Sequence, residues 1–141
     1  MSARGPLIVA VIVGLLGLAP VAAQTKASDV SQKASETVDA IKSYSVEKKD
    51  EAVAYARKVG AEVDGHIKEL KAEAARQTGE AKARSDALLR DLDAKRAQAG
   101  RKASEMSRAT QSSWDRAKEA FANAYREVAA AYDRAAAEIQ K

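Results

Sequence analysis

The sequence predicts an all-α protein, in which long amphipathic helices form an elongated antiparallel hairpin or a coiled-coil-like bundle of three or four helices. Alanine, the strongest helix former, supplies 28 of the 118 residues in the stretch 24–141. Both prolines precede that stretch, so nothing within it prevents very long helices. Apolar residues recur along it at steps of three, four and seven, as expected for helices that bury one face.

Residues 1–23 have the pattern of a secretory signal peptide. Arg4 supplies a basic start, an apolar run spans residues 7–18, and small residues lead up to Ala23. The apolar run is too short for a comfortable membrane span. We therefore predict cleavage near Ala23 and a periplasmic or secreted protein, with an uncleaved anchor over residues 5–23 as the alternative.

The remainder of the chain, residues 24–141, has the length of a single domain. Hydroxyl side chains that can cap helix starts stand at Ser45, Thr78 and Ser112, and Gly79 can end a helix. Between these points the apolar spacing predicts four helices. They span approximately residues 28–43, 45–77, 80–108 and 112–139.

The last predicted helix holds four of the six aromatic residues of the protein. Its large nonpolar side chains are spaced 7, 4, 3, 4 and 7 residues apart, so on a helix they form one stripe. The aromatic stripe consists of Trp114, Phe121, Tyr125, Val128, Tyr132 and Ile139. We predict that it is the packing or partner face, which contacts neighbouring helices of the chain, a protein partner or a lipid surface.

Large aliphatic side chains are scarce. Leu, Ile, Val and Phe supply 15 of the 118 residues in the stretch 24–141, a proportion at which disorder becomes a reasonable expectation. Low net charge and high alanine content favour local helical order instead. A compact monomer is therefore expected to be marginally stable, which favours self-association or partner binding.

The charge is nearly balanced, with a formal net charge of +4 for the whole chain. Its basic excess lies in the middle, residues 80–111, whereas the aromatic residues concentrate in a neutral segment. A nucleic-acid surface would combine basic and aromatic residues on one exposed face. We therefore predict no nucleic-acid partner.

Few residues of the chain could take part in catalysis or bind a metal. Without cysteine, the chain offers no thiolate metal ligand and no thiol nucleophile. The single histidine, His66, shares a predicted helix face with Glu62, Glu69 and Glu73, but bundle metal sites take ligands from several helices, so a solvated charged stripe is favoured. We predict no catalytic residue, no metal, no cofactor and no small-molecule substrate, and hence no enzyme.

Three stretches resemble a family of small bacterial coiled-coil proteins described as stress-response or apolipoprotein-like helical proteins. They are YSVEKKDEAVAYARK at residues 44–58, ARQTGEAKA at 75–83 and SSWDRAKEAFANAYREVAAAYDRAA at 112–136. The resemblance implies long helices and a role in envelope or environmental stress, without catalytic residues. The chain differs from the family by its secretory leader and by Gly60 and Gly65.

These observations predict a non-catalytic, exported helical interaction protein with a role in envelope stress, acting by self-association or by binding an envelope partner. The alternative is an apolipoprotein-like protein that binds a lipid or membrane surface. An interfacial helix needs an apolar face with Trp or Phe and a polar face rich in Lys and Arg. The last helix meets the first requirement, but its acidic residues balance its basic ones.

Overall fold

The computed structural model describes residues 30–141, so the predicted signal peptide at residues 1–23 lies outside the described part. Within it the chain forms four α-helices and no strand, which confirms the predicted all-α bundle. A 3₁₀ turn, Val46–Lys48, follows the first helix. The helices are α1 (residues 30–43, as far as it is described), α2 (Lys49–Ala74), α3 (Gly79–Ser107) and α4 (Trp114–Ile139).

Ion pairs between α2, α3 and α4 show that consecutive helices run antiparallel. Lys71 Nζ, near the end of α2, lies 2.9 Å from Asp93 Oδ2 in the middle of α3. Arg84 Nε, near the start of α3, lies 3.1 Å from Glu138 Oε2 at the end of α4. These three helices therefore form an up-down-up arrangement of long rods, each about 40 Å in length at 1.5 Å per residue.

The first helix packs against both α2 and α4. Lys33 Nζ lies 3.7 Å from Glu62 Oε1 of α2, and the Ser31 hydroxyl donates a 2.8 Å hydrogen bond to Asp133 Oδ2 of α4. Because these contacts join the described start of α1 to the middle of α2 and to the second half of α4, its 14 described residues cover only part of the bundle. The bundle thus has a four-helix part, and beyond it α2, α3 and α4 continue.

The core is one continuous cluster to which every helix contributes. Helix α4 supplies twelve buried residues, compared with nine from α2 and six from α3. Many of them are alanines, whose small side chains allow the helix backbones to approach closely. The chain therefore builds its core around α4.

The predicted caps mark the right places but do not form the predicted hydrogen bonds. Ser45 and Thr78 precede helical segments without capping them through their side chains. Ser113, not Ser112, precedes α4, and its hydroxyl accepts a hydrogen bond from the backbone of Thr110 in the preceding loop. Gly79 begins α3, where its φ of 65° suits glycine, whereas α2 has already ended at Ala74.

The C-terminal end of α3 is instead contacted by a lysine that is distant in the sequence. Lys49 Nζ, at the start of α2, donates a 2.9 Å hydrogen bond to the carbonyl of Ala109 just beyond α3. The carbonyls at a helix C-terminus lack partners within the helix and carry partial negative charge, so a cation stabilises them. This contact also fixes the α3–α4 loop against the start of α2.

Candidate functional site

All six residues of the predicted aromatic stripe lie in the core, and none of them is more than 7% exposed. Phe121 and Tyr125 stack with ring centroids 5.5 Å apart. In this closed state the stripe contacts other helices of the same chain. A partner or lipid surface reaches it only if part of the bundle opens.

His66 is turned toward the aromatic stripe. Its ring meets Tyr132 edge-on with centroids 6.4 Å apart, and its buried Nδ1 has no hydrogen-bond partner. Within residues 30–141 no group of three or more His, Asp or Glu side chains is placed to hold a metal ion. The face that carries His66 is therefore partly an aromatic contact and not only a solvated charged stripe.

Two tyrosines of the stripe are held in the neutral form. The Tyr125 hydroxyl is buried without a hydrogen-bond partner, and burial raises its pKa well above the ordinary value, against a lowering effect of Arg96. Burial, together with nearby carboxylates such as Glu69, raises the pKa of Tyr132 to about 12. Both hydroxyls are protonated at neutral pH.

A glycine in α2 provides space for an arginine of α3. Arg96 makes a two-pronged contact with Asp64, with Nε–Oδ1 and Nη2–Oδ2 distances of 2.8 and 3.2 Å. A Cβ atom built on Gly60 would lie 2.6 Å from Arg96 Nη2, whereas a Cβ on Gly65 would meet nothing within 4 Å. Gly60 therefore leaves space for the guanidinium between the helices, whereas no neighbouring group requires a glycine at position 65.

The end of α1 is held by two side chains from the first turns of α4, which we call the clasp: Trp114 and Lys118. Lys118 Nζ donates 2.9 Å hydrogen bonds to the carbonyls of Lys42 and Tyr44. The Trp114 indole donates a 3.0 Å bond to the same Tyr44 carbonyl, and Lys118 Nζ lies 5.6 Å from the centroid of its ring. Trp114 thus holds the end of α1 against α4 and is also a core residue.

Three grooves border α1. One, of about 360 Å³, opens between α1 and α4; another, of about 370 Å³, lies at the clasp end; and a third, of about 120 Å³, separates α1 from α2. The groove between α1 and α4 contains Asp133, whose Oδ1 is buried without a hydrogen-bond partner. Open space therefore flanks α1 on the sides that face both of its neighbours.

The outer surface of α2 and α3 carries small and basic residues at steps of three and four, opposite the buried positions of each helix. No carboxylate occurs among them. We call this surface the basic face. On α2 it consists of Ala54, Lys58, Ala61, Gly65, Lys68 and Ala72, and on α3 of Ala83, Ala87, Arg90, Ala94, Ala97 and Arg101, all of them exposed.

Carboxylates beside the basic face pair with cations outside it, some across a helix boundary and others, such as Asp86 and Glu105, within α3. Asp64 binds Arg96, and Asp93 binds Lys71, across the α2–α3 boundary. Asp91, on the far edge of α3, pairs with Lys95 and with Arg134 of α4. By contrast, no ion pair within the described residues involves the four cations of the basic face, which are Lys58, Lys68, Arg90 and Arg101. The charged positions of the face itself are therefore all positive.

No family model, no curated protein and no solved structure matches this chain. The resemblance to stress-response and apolipoprotein-like proteins therefore stays a prediction.

In the described part of the chain, no helix is both long enough and apolar enough to span a bilayer. The geometry offers two surfaces for contact. One is the region around α1, where displacing a single helix would uncover core residues. The other is the basic face, which is accessible without any change in the bundle.

Proposed function

We propose that the protein is a non-catalytic, exported helical interaction protein with a role in envelope stress, and that it binds a second copy or an envelope partner at the surface that α1 covers. The observation that carries this proposal is the attachment of α1. Its described part is bordered by grooves, and hydrogen bonds to α4 hold both of its described ends. Such a helix can be replaced by another helix with the same pattern.

The contacts of α1 define what a replacement helix must provide. Val30, Val38 and Ile41 are its large buried aliphatic side chains, and burying each is worth about 1.5–3 kcal/mol. A partner helix with apolar residues at comparable helical spacing would recover that free energy in the same position. The α1 helix of a second copy carries identical side chains, so exchange of α1 between two copies satisfies every contact.

The clasp adds recognition of a helix end. Lys118 and Trp114 bind backbone carbonyls, which any helix presents at its C-terminus. The Asp133 carboxylate accepts a hydrogen bond from Ser31. A replacement helix would therefore need a hydroxyl or another hydrogen-bond donor about three turns before the end that the clasp binds. The site therefore favours an amphipathic helix of limited length that ends at the clasp.

A disulfide across the α1–α4 contact tests this function. The chain has no cysteine, so Ser31→Cys combined with Asp133→Cys, oxidised at a concentration at which the protein is monomeric, joins α1 to α4 of the same copy where the two side chains already touch. We expect the reduced variant and the wild type to sediment as larger species at higher concentration, with a melting temperature that rises with concentration. The oxidised variant should remain monomeric, because its α1 cannot be exchanged.

Two results would contradict the proposal. A wild-type protein that is monomeric at every concentration would reject self-association. If the oxidised variant associated as strongly as the reduced one, the association surface would not be the one beneath α1. The reduced double variant is the matched control, since it carries the same two substitutions without the cross-link.

A second candidate function is apolipoprotein-like lipid binding by an opened bundle. The clasp favours it, because releasing Lys118 and Trp114 would free α1 and turn part of the aromatic stripe outward. Trp114 is the only tryptophan, so its fluorescence reports on this site alone. With vesicles that contain brominated lipids, this candidate predicts quenching of Trp114 in the reduced cysteine variant and no quenching in the oxidised one. Binding to vesicles without quenching would reject it.

A further inference from the structure

The basic face differs from the rest of the bundle surface in its charge balance. Its four cations, Lys58, Lys68, Arg90 and Arg101, are exposed without an ion pair in the described part of the chain, and neighbouring carboxylates pair with cations outside the face. From this charge we infer that the basic face is a docking surface for an anionic lipid bilayer, to which the closed bundle adsorbs. Lys58 also lines the groove between α1 and α2, whereas the other three cations line none of the grooves that border α1. Variants at Lys68 and Arg90 therefore test this inference separately from α1 exchange.

The four cations are distributed over an area and not along one line. Lys58 and Lys68 are about 15 Å apart along α2, and Arg90 and Arg101 are about 16 Å apart along α3, at 1.5 Å per residue. The two helices lie side by side, with the Asp64–Arg96 contact between them. A partner that neutralises all four cations at once has to present negative charge across a broad surface, as a layer of phosphate headgroups does.

The side chains between the cations favour a bilayer over a protein partner. They are alanine and glycine, and the basic face contains no aromatic or large aliphatic residue. Tight protein interfaces depend on such anchors, and helix-in-groove recognition also requires them. Single-stranded nucleic acid would similarly need aromatic side chains on which its bases could stack. A smooth positive surface without anchors is sufficient for electrostatic adsorption to lipid headgroups.

The same composition predicts how the protein binds. Because the basic face has nothing apolar to insert, adsorption is electrostatic and is weakened by salt. Each lysine or arginine near an anionic leaflet strengthens binding about fivefold. The bundle stays closed, so Trp114 remains in the core while the protein is bound.

The test compares binding to vesicles by co-sedimentation at low salt. We expect the wild type to bind vesicles that contain phosphatidylglycerol and not to bind vesicles of pure phosphatidylcholine. Binding should be lost at 0.5 M salt, where the screening length is roughly 4 Å. The variant Lys68→Gln/Arg90→Gln should bind about 25-fold more weakly, as two cations at about fivefold each require. Trp114 should not be quenched by brominated lipids.

A matched control removes the same charge elsewhere. Lys42→Gln/Arg116→Gln alters two exposed cations on the α1 and α4 side of the bundle, and binding should change less than twofold. A second variant, Ala61→Glu/Ala94→Glu, keeps all four cations and adds carboxylates between them, and it should also lose binding. Circular dichroism of each variant verifies that the helices persist.

Four outcomes would overturn the inference. They are the absence of wild-type binding at low salt, equal losses in the face variant and the control variant, quenching of Trp114 in the bound state, and binding to polyglutamate without binding to vesicles. The last would identify an acidic protein as the partner of this face. The oxidised Ser31→Cys/Asp133→Cys variant should bind vesicles as the wild type does, so failure of this inference is distinguishable from failure of α1 exchange.

Discussion

Helix α4 contacts α3 and α1 in different ways. Against α3 it places aromatic and aliphatic core residues, with three ion pairs at the edge: Arg84–Glu138, Asp91–Arg134 and Lys95–Glu127. Against α1 the groove at the interface is lined by alanines, a valine and polar residues, and the clasp and one serine–aspartate hydrogen bond fasten the helix. In a chain rich in alanine, the few large side chains decide which interface is firmly closed.

This difference has an energetic basis. Exposed ion pairs contribute about 0–1 kcal/mol each, so those between α3 and α4 mainly fix the register. A buried aromatic or aliphatic side chain contributes about 1.5–3 kcal/mol, and α4 buries the six residues of the aromatic stripe, whereas the described part of α1 buries three, Val30, Val38 and Ile41. We therefore expect α1 to be released at a free energy well below that of global unfolding.

The largest expected effect is in the aromatic core. Phe121→Ala should lower the free energy of unfolding by about 3–5 kcal/mol, because it removes a fully buried ring that stacks on Tyr125. Ile41→Ala truncates a fully buried residue of α1, and it should loosen α1 while the other helices remain folded. Urea denaturation followed by circular dichroism measures the first effect. A global loss from Ile41→Ala as large as that from Phe121→Ala would contradict the comparison.

Alkaline pH should destabilise the same core. Tyr125 and Tyr132 have raised pKa values when folded, so their stabilising effect is complete below the ordinary tyrosine pKa of about 10. It is lost as the pH rises from about 10 toward 12, by up to about 1.4 kcal/mol per pH unit for each tyrosine. Urea denaturation between pH 8 and roughly pH 11.5 tests this. Stability that is constant over that range would refute it.

The matched control for the pH dependence is Tyr125→Phe. It removes one titrating group, so the loss above pH 10 should become shallower. It also removes a buried hydroxyl that has no hydrogen-bond partner, so we expect unfolding at neutral pH to require as much free energy as in the wild type, or about 1 kcal/mol more. A loss of several kcal/mol at neutral pH would show that the hydroxyl is bonded.

A smaller effect is expected at the clasp. Lys118→Met keeps the aliphatic length of the side chain but removes the hydrogen bonds to the carbonyls of Lys42 and Tyr44. We expect the attachment of α1 to weaken by about 1.5–3 kcal/mol, with little change in the rest of the bundle. Lys141→Met is the control, since Lys141 pairs with Glu138 at the exposed chain end, and it should have almost no effect. Equal effects of the two variants would reject the clasp.

The smallest effects compare two glycines of α2. Gly65→Ala should raise the free energy of unfolding by about 0.5–1 kcal/mol, because alanine is the better helix former and the added methyl group meets nothing. Gly60→Ala gains the same propensity but displaces Arg96 from Asp64, so its net effect should be near zero or unfavourable. Thermal melts of the two variants measure the difference. Equal stabilisation by both would show that Arg96 needs no space at Gly60.

Much of the fold follows from the spacing of apolar residues. Helices α2, α3 and α4 begin and end within a few residues of the predicted bounds, and the residues spaced 7, 4, 3, 4 and 7 apart from Trp114 to Ile139 are all buried. Helical periodicity is local, which is why it can be read from one sequence. Periodicity identifies a face but not what that face contacts. The sequence alone therefore does not decide whether the aromatic stripe packs against other helices of the chain, binds a protein partner or binds lipid.

The contacts that depend on distant residues could not be predicted. Lys118 lies 74 residues from the Tyr44 backbone that it binds, and Lys49 lies 60 residues from Ala109. The basic excess predicted for residues 80–111 accounts for the α3 half of the basic face only. Recognising the whole face requires knowing that Asp64 and Asp93 are neutralised across the helix boundary, and this depends on the register of α2 and α3.

Hydrogen exchange measured amide by amide tests the central claim most directly, since it reports the free energy of opening for each helix separately. The closed bundle with a releasable α1 predicts that amides of residues 34–43 exchange through a local opening that costs less free energy than global unfolding. Amides in the middle of α3 and α4 should exchange only when the whole bundle unfolds. Equal protection of α1 and α4 would contradict the account.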